Sequence, residues 1–185
     1  EPICFVVNPI AGLGGVVGLK GTDGWEIAEK ALKLGSKLVA PRRARRFIKA
    51  LCELSTSDLF FYTASGSMGE DYLEEAGIGY EVVHRVAGRT ERSDTIETVR
   101  RSVSRGAGLV VFVGGDGTAR DVYEAVGGES VMLGVPSGVK IFSGVFAASP
   151  EAAARLVYGY LKGRVSVGEG EVLDVDEEEF RRGRV

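Results

Sequence analysis

The sequence predicts an α/β protein of three layers, a mostly parallel sheet with helices on both faces. Three observations lead there. Short apolar runs rich in β-branched residues, at 3–7, 109–113 and 131–135, lack polar alternation and so read as strands buried on both sides. Amphipathic helical patterns stand between the strands, the order that crossover connections require. Several strands end on turn-forming residues, Asn8-Pro9, Gly114-Gly115 and Pro136-Ser137-Gly138.

Taken in order, residues 3–7 form a strand, and Gly12, Gly14, Gly15, Gly18 and Gly21 make a long glycine-rich loop. Helices are predicted over 25–34 and again after Pro41, where Ala44, Phe47, Ile48, Leu51 and Leu54 share one face and Arg42, Arg43, Arg45, Arg46 and Lys49 crowd the rest as a solvated surface. A strand over 59–63, a short helix over 68–75 and a strand over 81–86 follow. Ser93 or Asp94 is expected to cap the next helix, with Ile96, Val99 and Val103 inward. After the strand at 109–113 comes a helix carrying Ala119, Val122, Tyr123 and Val126, then the strand at 131–135. Helical stretches are predicted over 140–147 and 150–162. From residue 164 onward irregular apolar alternation runs into acids, as at the start of a further strand.

Composition narrows the class. The chain has 185 residues and a net charge of −3, with a pI near 5.4, so nothing drives it toward nucleic acid or an anionic membrane. No apolar run is long enough to span a bilayer, which leads to the expectation of a cytoplasmic protein. Cys4 and Cys52 are too few for a zinc framework and read as reduced core residues; His84 has no second histidine and reads as structural. The single Asn and the absence of Gln match the amide depletion of thermophile proteins. Starting at Glu1-Pro2 almost inside a strand, the chain reads as trimmed.

The strongest chemical signal is Gly114-Gly115-Asp116-Gly117-Thr118. A strand runs into glycines that let a polyanion approach the backbone, and the following helix offers its free N–H groups and positive dipole end. A carboxylate has no place in a pure anion hole, so Asp116 is expected to stay free for chemistry, either taking a proton from a hydroxyl or meeting a metal. Asp121, one turn on, is near enough to help hold a metal or to pair with Arg120 on the surface. In parallel sheets ligands bind beyond the carboxyl ends of the strands, where Asn8, Gly114 and Pro136 all lie. The early loop fits neither the dinucleotide pattern, because of Val17, nor the Walker pattern, because Lys20 precedes Gly21-Thr22. Its place on the same rim still makes Asn8, Pro9, Gly12, Gly14, Gly15 and Lys20 candidate phosphate ligands. Gly114, Gly115, Gly117, Thr118, Ser137 and Gly138 join them, and Lys140 is a candidate counter-charge.

Together, Val7-Asn8-Pro9-Ile10-Ala11-Gly12 and Gly114-Gly115-Asp116-Gly117-Thr118 resemble the superfamily of NAD kinases and diacylglycerol or sphingosine kinases. Gly18-Leu19-Lys20-Gly21-Thr22-Asp23, Ala119-Arg120-Asp121-Val122 and Pro136-Ser137-Gly138-Val139-Lys140 are most similar to archaeal and bacterial ATP- or polyphosphate-dependent NAD kinases. The likeness covers roughly residues 3–150. It implies the NAD kinase amino-terminal fold, a catalytic role for Asp116, and phosphoryl-donor binding with Mg²⁺ by the loops around Asn8 and Asp116. It further implies that 1–163 form the donor-binding domain and that 164–185 begin a second, mainly β domain. The expected substrates are ATP or polyphosphate and the 2′-hydroxyl of NAD. Expected partners are small nucleotides, with neither nucleic acid nor membrane, and other copies of the full-length protein. A lipid kinase and a non-catalytic nucleotide-binding module remain as alternatives, since no Asn follows position 8 to match the acceptor-binding asparagine of NAD kinases.

Overall fold

The computed structural model describes residues 1–13, 25–35, 37–54, 59–138 and 141–173. Its elements are β1 (Ile3–Val7), α1 (Trp25–Lys33), α2 (Ala40–Leu54), β2 (Phe60–Ala64), a 3₁₀ turn (Gly66–Met68), α3 (Glu70–Ala76), β3 (Gly79–His84), α4 (Arg92–Ser104), β4 (Leu109–Gly114), α5 (Asp116–Val126), β5 (Val131–Pro136) and α6 (Pro150–Leu161). The five strands form one sheet in the order β3-β2-β1-β4-β5, and every pairing is parallel.

Strand alternation divides the core between two faces. Ile3, Phe5, Val7, Leu109, Val111 and Val113 face α2, α3 and α6, whereas Cys4, Val6, Val110 and Phe112 face α4 and α5. A strand covered on both sides needs apolar residues at every position, which is why β1 and β4 carry no polar alternation. On the first face Phe5 stacks on Phe47 at 5.7 Å and meets Phe61 edge-on at 6.1 Å. On the second, Phe112 meets Phe146 edge-on at 5.2 Å, a geometry worth about 0.5–1.5 kcal/mol beyond its buried area. Burial pushes the Cys4 thiol up to about 12, so it stays an unreactive core group.

The basic face of α2 is an ion-paired surface. Arg45 makes a bidentate pair with Glu75, and Arg46 does the same with Glu151. Both are exposed and contribute little to stability, but they set α2 against α3 and α6.

Four expectations need correction. The third strand lies at Gly79–His84 rather than 81–86, because it pairs with β2 from Phe60↔Gly79 and breaks register at Ala64; the Val86 N–H is taken by Ser65 Oγ instead. The short helix splits into a 3₁₀ turn and α3 at Gly69, whose φ is +156°. Helix α4 starts at Arg92, so Ser93 and Asp94 lie inside it, and Asp94 acts from the first turn by accepting from the Glu91 N–H at 2.8 Å. The other Asp94 oxygen meets His84 Nε2 at 2.7 Å, a structural partner for the only histidine.

The fourth is larger. The described residues 141–147 form no helix. Their amides are spent on distant partners: Phe142 and Ser143 on Asp116, Gly144 on the Glu171 carbonyl and Ala147 on the Gly134 carbonyl, while the Val145 carbonyl takes the Gly134 N–H. Helix formation needs those same groups for bonds four residues apart. The chain becomes regular again only at α6, where Pro150 occupies the first turn and Ser149 Oγ accepts from the Ala152 N–H at 3.0 Å.

Candidate active site

The strand order reverses between β1 and β4. β1, β2 and β3 run outward on one side, and β4 returns to pair with β1 on the other; in open α/β sheets the crevice that takes ligands lies at the carboxyl ends of the strands at such a reversal. Loops from β1, β4 and β5 meet there. The Asn8 N–H donates to the Val113 carbonyl at 2.9 Å, and the Ser137 N–H to the Gly114 carbonyl at 3.0 Å. Asn8 Nδ2 donates to Thr118 Oγ1 at 3.2 Å, while Asn8 Oδ1 accepts from the Ile10 N–H at 3.3 Å. The single asparagine therefore ties the first loop to the start of α5.

The glycines at this crevice do different work. Gly12 has φ +83°, and a Cβ there would stand 1.9 Å from the Ser137 carbonyl oxygen. Gly114 lets Thr118 close down, since a Cβ would come within 2.4 Å of Thr118 Oγ1. Thr118 is buried accordingly, with its hydroxyl on Asn8. Gly115 and Gly117 behave otherwise. A Cβ on either would meet no described atom within 4 Å, and neither has a positive φ. What these two glycines offer is therefore not an unusual dihedral but bare backbone that no described atom covers. Gly115 sits at the N-cap of α5 without a side-chain cap, so the first N–H groups of the helix have no intrahelical acceptor.

Asp116 occupies the first turn of α5 at the mouth of this crevice, half-buried. It is not the free acid expected from the sequence. Its Oδ2 accepts from the Phe142 N–H at 2.9 Å, and its Oδ1 accepts from the Ser143 N–H at 2.9 Å and from Ser143 Oγ at 2.6 Å. A carboxylate offers about four lone-pair directions, so three are filled and one, on Oδ2, has no partner among the described residues.

Asp121 faces elsewhere. It is 8% exposed, accepts from Arg92 Nε and lies 3.6 Å from Arg120 Nε. Two guanidinium groups make this an ion pair, the second of the two roles expected of Asp121. Burial, the largest influence, raises its carboxyl above the usual value even though Arg92 and Arg120 pull the other way. With the folded value above the unfolded one, its contribution to stability is full at low pH and is lost as pH rises through the raised value. Asp121→Asn retains an acceptor for Arg92. It is therefore expected to leave the unfolding free energy at pH 7 within about 1 kcal/mol of the parent and to flatten the fall in stability just above the carboxylate range, as urea titrations at a series of pH values will show.

Of the other candidates, Pro9 is buried, Gly138 approaches Gly12, and Ser137 is 1% exposed with a hydroxyl that finds no partner among the described residues. Gly14, Gly15 and Lys20, with Lys140, lie outside the described residues. No group of three or more His, Cys, Asp or Glu among the described residues could hold a metal. Phe142 and Ser143, which hold Asp116, went unseen in the sequence reading. The only available signal was Ser143-Gly144, two poor helix formers inside the predicted 140–147 helix.

Comparison with known families gives a match to the ATP-NAD kinase N-terminal domain over residues 3–165, most of the chain. The chain belongs to this family. Its five parallel strands and flanking helices fit the three-layer α/β fold of that family's N-terminal domain. No curated protein sequence matches it. Among solved structures it is similar to the Escherichia coli transcriptional repressor ascG at 16% identity and a TM-score of 0.35, over 74% of this chain and 60% of that one. The chain thus matches less than two thirds of that protein's length. No helix among the described residues is long and apolar enough to cross a membrane.

Proposed function

We propose that the full-length protein transfers a phosphoryl group from ATP or polyphosphate to the 2′-hydroxyl of NAD, and that this domain supplies the donor-phosphate site. The observation that carries the reading is the bare backbone at Gly115 and Gly117. Neither crowding nor a positive φ calls for glycine at these positions, whereas a phosphate approaching the uncapped start of α5 does. Phosphoryl transfer depends on positioning and charge stabilisation more than on covalent help. The N–H groups at the start of α5 would hold the donor phosphates, with the loop from Asn8 to Gly12 closing the other side. Ser137 Oγ, buried without a described partner, is a further donor for the same anion.

Asp116 would accept the acceptor hydroxyl on the open direction of Oδ2 and orient its oxygen toward the terminal phosphorus. The new O–P bond forms as the bond to the bridging donor oxygen breaks. The electron pair leaves with the rest of the donor, and the hydroxyl proton passes to Asp116 or solvent. The described residues fit no protein-only metal cage, but Mg²⁺ needs few protein ligands when phosphates supply the others. Carried by the donor, it would neutralise phosphate charge.

Full-length protein incubated with NAD and a diacylglycerol side by side, once with ATP and once with polyphosphate, is expected to yield NADP. Phosphorylated lipid without NADP would overturn the acceptor. Nucleotide-dependent thermal stabilisation with no transfer to either compound would replace the enzyme with a binding module.

A further inference from the structure

We infer that Ser143 is a positioning residue that selects which oxygen of Asp116 meets the acceptor hydroxyl. The inference rests on the role proposed for Asp116. Two of the three hydrogen bonds on that carboxylate come from Ser143, and both go to Oδ1: the N–H at 2.9 Å and the hydroxyl at 2.6 Å. They fill both lone-pair directions of that oxygen. Phe142 fills one direction of Oδ2, so among the described residues the carboxylate is left with a single open direction, on Oδ2. Rotation about the Cβ–Cγ bond would otherwise exchange the two oxygens, and the pair of donors from one residue holds it fixed.

Ser143 is itself held from behind. It is 6% exposed, and its hydroxyl oxygen accepts from the Leu173 N–H at 3.1 Å. Its one proton is committed to Asp116, because the Leu173 carbonyl lies farther away at 3.4 Å. The neighbouring Gly144 N–H donates to the Glu171 carbonyl at 2.8 Å. The segment that leaves α6 thus clamps residues 143–144, and through one hydroxyl it fixes the carboxylate at the mouth of the crevice. Ser143 touches neither the open direction of Oδ2 nor the bare backbone at Gly115 and Gly117, so its effect on the reaction passes through Asp116.

A double-mutant cycle in the full-length protein separates this role from a structural one. Ser143→Ala is expected to lower kcat roughly tenfold with the KM for NAD changed by less than about twofold, since misorientation acts on the reacting geometry rather than on binding. In an Asp116→Ala background, measured with enzyme in excess, the same substitution is expected to change the residual rate by less than about twofold. Ser143→Cys fills nearly the same space with a weak donor and is expected to reproduce the loss, so the result stands even where the alanine variant folds poorly. Unchanged kcat in the serine variants, a change in KM alone, or an equal fractional loss in both backgrounds would overturn the inference. Wild-type turnover in Asp116→Ala alone would instead remove the reading on which it rests.

Discussion

Asp116→Ala in the full-length protein is expected to lower turnover by roughly a hundredfold or more, the scale of losing a positioned acid–base group. The carboxylate stands at the start of α5, beside two glycines whose backbone meets no described atom, and Oδ2 keeps one lone-pair direction without a partner among the described residues, the direction assigned above to the acceptor hydroxyl. The same change has a structural consequence. It strips the acceptor from two backbone N–H groups and the Ser143 hydroxyl. Phe142 is exposed and water can replace its bond, whereas Ser143 is buried. A loss of about 1–3 kcal/mol is therefore expected, visible as a lower urea midpoint. Asp116→Asn keeps the shape and one acceptor oxygen, so it is expected to recover part of that stability without recovering turnover. Turnover near the parent level in the alanine variant would mean that Asp116 only fastens residues 142–143 to the helix.

The largest expected loss of stability is at Gly12. Alanine there takes on a left-handed backbone, φ +83°, and places its Cβ 1.9 Å from the Ser137 carbonyl oxygen, with Val39 Cβ at 3.3 Å. A main-chain oxygen cannot swing aside as a side chain can. Either the first loop or the residues after β5 must move, at a combined cost of about 2–4 kcal/mol. Gly35 provides the control, with φ +87° but no described atom within 4 Å of a built Cβ, so Gly35→Ala incurs only the backbone term of about 1–2 kcal/mol. Urea unfolding of the two variants separates the clash from the conformational cost. If both lose the same amount, Gly12 and Ser137 are not in contact. Because this contact joins the loops after β1 and β5, Gly12→Ala is also expected to weaken donor binding, read as a raised KM for ATP or polyphosphate.

Much of the site was legible in the sequence because its residues lie at strand ends, and strand ends are marked locally. The apolar run 109–113 stops at Gly114, and the run 3–7 stops at Asn8. In a parallel sheet those ends necessarily share a rim. Ser143 was not legible. Its partner lies 27 residues away in the chain, and nothing in a helix-like pattern over 140–147 announces that a carboxylate elsewhere will take its N–H groups. Of the two roles open to Asp121, the pair with its neighbour Arg120 was legible in the spacing and is present at 3.6 Å, whereas its second partner, Arg92, was not, because it arrives from α4, 29 residues earlier.

By itself, the sequence determined the class of fold, the position of nearly every element and the clustering of glycines and Asp116 at one rim. Burial periodicity and turn chemistry are properties of neighbouring residues, and they act before any long-range contact forms. Only the tertiary structure decided the strand order that opens the crevice between β1 and β4, the irregular course of residues 141–149, and the fastening of Asp116 by Phe142 and Ser143. Each of these depends on hydrogen-bonding groups far apart in the chain. The N–H that completes a helix in one context satisfies a distant carboxylate in another, and the packing of the whole domain selects between them.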